Sequence, residues 1–163
     1  MAAPCGGKPE PKKIVEADSI LNLLDNEFIV VACGGGGVPV VRDYSDKGAY
    51  KGVAAVIDKD MAAELLAEDC DADVLFLLTA VEHVAVNFGK PDQRDLDEIT
   101  ADEAQRLADA GEFGKGSMEP KVRAAIKFVN SRKAGSALSV RSIRHQKPCL
   151  AFTRHASFPH KRL

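Results

Sequence analysis

Three groups of residues in this 163-residue chain have the types and spacing to handle phosphate. Asp58, Lys59 and Asp60 form an acid–lysine–acid triplet ahead of an alanine-rich stretch. A lysine there neutralises charge on a transferring phosphoryl group, and its flanking acids position lysines or a metal. Gly34, Gly35, Gly36 and Gly37 follow an apolar run, so their amides could receive phosphate oxygens. Lys121 opens a helical stretch behind Gly116, Ser117, Met118, Glu119 and Pro120. A cation at the positive end of a helix is electrostatically unfavourable, which points to an anion beside it.

Each group also has a plain structural reading. Four glycines make a flexible turn, and they match neither GxxxxGK[ST] nor GxGxxG, which disfavours the P-loop and dinucleotide motifs. Asp60 could simply cap a helix running from Met61. Lys121 could be a surface lysine extending its ammonium into water. His145, Cys149, His155 and His160 fit no zinc-ligand spacing, so no metal site is expected among them.

The elements that must position these groups follow from periodicity. Residues 16–26 carry apolar side chains at helical spacing: Ala17, Ile20, Leu21, Leu23 and Leu24. Residues 28–33 form a continuous apolar, β-branched run, as in a parallel strand buried on both faces. Extended structure resumes at 38–41, and 42–52 reads as a polar loop or hairpin. A helix is predicted over 60–68, a second buried strand over 72–79 and a short strand over 84–88. Thr100 and Glu103 make a capping box for a helix over 100–110. Pro120 suits the first turn of another helix over 120–129, with Val122, Ala125, Ile126 and Val129 on one face. Strands alternating with helices predict an α/β fold, a parallel-type sheet sandwiched by helices.

Composition bounds the rest. Hydrophobic residues make up 45%, ordinary for a globular domain, and no apolar run nears the roughly 20 residues that span a bilayer. The N-terminal residues have no apolar signal core, so the cytoplasm is the expected location. Cys5, Cys33, Cys70 and Cys149 show no CxxC pairing and read as reduced thiols. The net charge of −2 conceals a split: residues 1–130 hold 14 Lys and Arg against 24 acids, while 131–163 hold 8 and none. That break predicts one domain over 1–130 and a basic tail over 131–163. The tail could bind nucleic acid nonspecifically but has no recognition motif, so nucleic acid is not an expected partner.

Five stretches together resemble the carbamate kinases of the amino-acid-kinase family. They are PKKIVEADSI (11–20), VACGGGGVPVV (31–41), GVAAVIDKDMAAELLA (52–67), DADVLFLLTAVEHVAVNFGKPDQ (71–93) and GKGSMEPKVRAAIKFV (114–129). The resemblance covers residues 9–130 and implies a partial amino-acid-kinase fold, the C-terminal nucleotide-binding half. It implies reversible phosphoryl transfer between ATP and carbamate, with Mg²⁺, in a homodimer that uses small-molecule substrates and no membrane. It assigns Lys59 to phosphate contact, Asp60 to holding the active-site lysines and Lys121 to the transferred phosphoryl group. Asp58, Gly34, Gly35, Gly36, Gly37, Thr79 and Ala80 would lie by the nucleotide, with Phe88, Met118 and Pro120 lining the adenine pocket. The family's N-terminal half, which carries another phosphate loop and another catalytic lysine, has no counterpart here. The resemblance therefore implies an enzyme family but little turnover by this chain alone. N-acetylglutamate kinase and aspartokinase are the competing relatives, and a nucleotide-binding fragment without chemistry is the competing function.

Overall fold

The computed structural model describes residues 8–45, 48–81, 83–96, 99–114, 116–131, 141–142 and 149–153. The chain divides into two units, Met1–Leu66 and Ala67–Leu163. This division does not coincide with the change in charge after residue 130.

The first unit opens with α1 (Ala17–Asp25). Ala17 and Ile20, three residues apart, share one face of the helix and are buried, and Ile14, just before it, is buried too. The helix is stopped by Glu27, whose φ of 63° is left-handed. Its amide bonds Leu24 O at 2.9 Å, and the Phe28 amide reaches back to Leu23 O at 3.1 Å. These paired bonds satisfy carbonyls that the helix leaves open. Next comes an antiparallel hairpin of β1 (Val40–Arg42) and β2 (Tyr50–Gly52), with Val40 opposite Gly52. The unit ends in the first turns of α2 (Lys59–Asp69).

The second unit begins with the last turn of α2, which closes as α1 does. Asp71 has a φ of 52°, and the Ala72 amide bonds Ala67 O at 2.9 Å. β3 (Val74–Leu78) follows, then β4 (Val84–Val86) and β5 (Arg94–Leu96), which pair antiparallel. α3 (Ala101–Asp109) carries the expected cap: the Glu103 amide donates to Thr100 Oγ1 at 3.2 Å. α4 (Met118–Asn130) buries the predicted Val122, Ala125, Ile126 and Val129, and Ala124 and Phe128 as well. It packs on α3, β3 and β7, which is why so much of its surface is covered. β6 (Arg141–Ser142) and β7 (Cys149–Thr153) complete a three-stranded sheet in the order β3-β7-β6. Part of the basic segment beyond residue 130 thus pairs with β3. His145, His155 and His160 lie outside the described residues.

The α/β class stands, but two expectations need correction. The strand pairs are all antiparallel among the described residues, not parallel. And residues 28–33 form no strand and join no described ladder. Ile29 is 97% exposed and Val31 95% exposed. An apolar, β-branched run reads as a doubly buried strand only if other chain segments cover it, and among the described residues none pairs with it. β3 departs in the same direction: Leu75 and Leu77 are buried, while Phe76 and Leu78 are more than half exposed. It has one covered face, not two.

Candidate functional site

The glycine turn and the acid–lysine–acid triplet meet within the first unit. Gly36 has a φ of 133°, and a Cβ there would lie 2.3 Å from the Ile57 carbonyl oxygen. The two backbones touch, and only glycine permits the approach. Ile57 directly precedes Asp58, so the turn is locked against the start of α2. The turn also spends two of its amides locally, Gly34 on Ala32 O and Gly36 on Cys33 O, each at 2.8 Å. Substitution at Gly34, Gly35 or Gly37 would meet no atom within 4 Å. Gly36→Ala is expected to cost about 1–3 kcal/mol through backbone strain and displacement of Ile57. Gly35→Ala, in open space and without a left-handed φ, is expected to cost no more than about 0.5 kcal/mol. Urea unfolding of both variants checks this, and equal values would remove the constraint.

Asp58, not Asp60, caps α2. Its Oδ1 accepts the Asp60 amide at 2.9 Å. Its Oδ2 accepts from the Lys8 ammonium at 3.1 Å, an ion pair across fifty residues of chain. Burial alone would raise the Asp58 carboxyl. The Asp60 and Met61 amides and the Lys8 ammonium outweigh burial and hold it below its ordinary 3.8. A depressed folded value means the carboxylate stabilises fully above about pH 3.8, and the contribution is lost as pH falls through the lower folded value. Lys8→Ala is expected to move the Asp58 midpoint upward, read by carboxyl ¹³C shifts; an unmoved midpoint would exclude the pair.

With Asp58 as cap, Asp60 falls in the first turn of α2 and is buried, whereas Lys59 is exposed. Glu64, one turn further on, is fully buried and was not anticipated. Its signal in the sequence is its spacing of four from Asp60, which places both acids on one helical face. Neither acid is isolated from polar or charged surroundings. Cys33 closes the apolar run with a left-handed φ of 61°. Burial, then the Glu16 charge, push its thiol up, so it stays neutral.

The second unit carries the other expected residues. Thr79 and Ala80 leave the end of β3. Met118 and Pro120 occupy the first turn of α4, half-buried. Lys121 is only 7% exposed, which overturns the reading of a lysine reaching into water. A buried ammonium is costly unless its charge is compensated, and Lys121 is indeed engaged by its surroundings. Phe88 stands 61% exposed on a turn with a dense polar frame. Asn87 Nδ2 bonds Asp92 at 2.8 Å, Lys90 Nζ bonds Asn87 Oδ1 at 3.0 Å, and the Gly89 amide bonds Gln93 Oε1 at 2.9 Å. These bonds use Gly89, Lys90, Asp92 and Gln93 of the FGKPDQ stretch to tie the turn that carries the exposed ring of Phe88.

Comparison with known proteins settles what these elements belong to. The sequence profile of the amino acid kinase family matches residues 2–138. The chain belongs to the amino acid kinase family. Carbamate kinase of Clostridium perfringens is 55% identical over 123 residues, covering 76% of this chain and 38% of that protein. Carbamate kinase of Thermococcus kodakarensis is 53% identical over 121 residues, covering 74% and 38%. The solved structure of Giardia lamblia carbamate kinase bound to AMP-PNP superposes with a TM-score of 0.71 at 44% identity, covering 76% of this chain and 38% of that chain. The α/β arrangement is therefore an amino-acid-kinase fold, and the chain spans well under half the length of these relatives. Among the described residues no helix is long and apolar enough to cross a membrane.

Proposed function

We propose that this chain forms the C-terminal nucleotide-handling half of a carbamate kinase. The reaction is reversible: a carbamate oxygen bonds the γ-phosphorus of ATP as the bond to the ADP oxygen breaks, giving carbamoyl phosphate and ADP. Mg²⁺ enters with the nucleotide as part of the substrate. The observation that carries the reading is the contact of Gly36 with Ile57, which holds a glycine turn against the triplet Asp58-Lys59-Asp60.

The roles follow from exposure and charge. Lys59 is an exposed cation at the mouth of α2, suited to the phosphate chain. Asp60 is a buried carboxylate suited to positioning ammonium groups, and Lys121 is the ammonium assigned to the transferring phosphoryl. Gly35 and Gly37, with open space beside them, are the turn positions assigned to phosphate oxygens. Asp58 in the first unit is assigned to the nucleotide; in the second unit Thr79 and Ala80 carry the same assignment. Phe88, Met118 and Pro120 supply apolar surface for the adenine, and the framed, outward ring of Phe88 supports that role. The relative from Giardia lamblia was solved with AMP-PNP bound, which supports a nucleotide as ligand. The working form is a cytoplasmic homodimer.

The test is titration calorimetry with Mg-ADP. The chain is expected to bind, and Lys59→Met to weaken binding at least about tenfold, the worth of one charged hydrogen bond. No heat at millimolar ADP, or equal affinities for both proteins, would sink the reading. A second reading, a nucleotide-binding fragment without chemistry, is favoured by the 38% coverage of the relatives. It predicts the same binding with no turnover even when the rest of the domain is supplied.

A further inference from the structure

Lys8 belongs to neither the glycine turn nor the acid–lysine–acid triplet, yet it reaches the mouth of α2. Its Nζ lies 3.1 Å from Asp58 Oδ2, fifty residues further along the chain. The segment that carries it is stiff and anchored. Pro9 and Pro11 restrict its backbone, and Ile14 is buried just before α1. Lys12 pairs within the segment, with Glu10 at 3.0 Å, whereas Lys8 pairs across the fold. Asp58 is the sheltered partner: its side chain is 15% exposed, against 58% for Lys8.

Asp58 carries its negative charge directly beside Lys59, the cation assigned to the phosphate chain. A bare carboxylate there works against an incoming anion in two ways. It repels the phosphate, and it attracts the Lys59 ammonium that should meet the phosphate. Lys59 is exposed, and among the described residues no ion pair holds it. The Asp58 carboxylate is divided between other donors: Oδ1 accepts the Asp60 amide at 2.9 Å, and Oδ2 accepts from Lys8. Lys8, Asp58 and Lys59 together leave one net positive charge; without Lys8 the other two cancel. A pair with one partner so exposed contributes little to folding, so its larger effect belongs to ligand binding.

We propose that Lys8 is a positioning residue for phosphate binding: by occupying Asp58, it leaves the Lys59 ammonium to the phosphate chain of the nucleotide. Lys8 itself does not touch the phosphate. This inference rests on the proposed nucleotide site and adds to it a residue from the segment ahead of α1.

The experiment is titration calorimetry with Mg-ADP at low ionic strength, where screening is weakest. It compares the full 163-residue chain with Lys8→Met, Lys8→Arg, Lys59→Met and the double variant Lys8→Met with Lys59→Met. Lys8→Met is expected to weaken binding about fivefold, the upper end for an exposed ion pair, with unchanged melting. Lys8→Arg keeps the charge and is expected to bind within twofold of the unsubstituted chain. The double variant is expected to bind no more weakly than Lys59→Met alone, because Lys8 acts through Lys59. Should Lys59→Met bind too weakly to titrate, the rescue by Lys8→Arg decides alone. Three results would overturn the proposal and leave the nucleotide site standing. They are a loss of less than threefold in Lys8→Met, no rescue by arginine, or additive losses in the double variant, which would put Lys8 on the phosphate itself. No binding of ADP by the unsubstituted chain would overturn both readings.

Discussion

Mixed with carbamoyl phosphate and ADP, the 163-residue chain alone is expected to form ATP at no more than about one-thousandth of the rate of a whole carbamate kinase. A coupled assay that follows ATP reads the rate directly. Phosphoryl transfer involves little covalent work by the protein. Its rate comes from holding donor and acceptor in line and from neutralising charge at the moving phosphoryl group. Removing one preorganised donor costs on the order of a hundred- to a thousandfold in enzymes of known mechanism. This chain offers Lys59, Lys121 and a glycine turn, and it covers 38% of the Clostridium perfringens relative. The turn is held by Ile57, but the run that feeds it, at 28–33, has no described strand partner. Positioning should fail before charge does. A rate within tenfold of a whole carbamate kinase would show that this chain already contains a complete site.

Phe128→Ala is expected to lower the stability of the second unit by about 3–5 kcal/mol, the usual effect of emptying a buried aromatic site. Phe128 is fully buried on α4, flanked by Ala124 and Ala125, which are also sealed from solvent. Small neighbours leave little side-chain volume to collapse into the hole, so the cavity should persist. The loss is a large share of the roughly 5–15 kcal/mol that holds a typical domain together. Urea denaturation measures it, with the exposed Phe76→Ala as a control expected to cost far less. Comparable losses for the two variants would show that α4 does not anchor this unit.

The parts legible in the sequence were the local ones. The capping box of α3 rests on Thr100 and Glu103, three residues apart, and forms as expected. The apolar face of α4 follows from 3.6-residue periodicity, and Val122, Ala125, Ile126 and Val129 are buried together. The glycine turn and the Asp58-Lys59-Asp60 triplet stand out because few residue types permit a bare turn or a charged helix mouth. Residue types also pointed to the family, which the comparisons bear out.

What depended on distant residues was not legible. Whether an apolar run such as 28–33 becomes a buried strand is decided by chain far away in sequence, and here it stays open. The cap of α2 moved from Asp60 to Asp58 because the Asp58 carboxylate can serve the helix amide and Lys8 at once. The burial of Glu64 and Lys121 could not be read from composition, since a charge enters a protein interior only where its surroundings compensate it. The sequence by itself thus determined the residues suited to phosphate and the local elements that carry them. Tertiary structure alone decided which charges are sheltered, which glycine is indispensable and which apolar run stays exposed, because each of these is set by non-local contact rather than by local propensity.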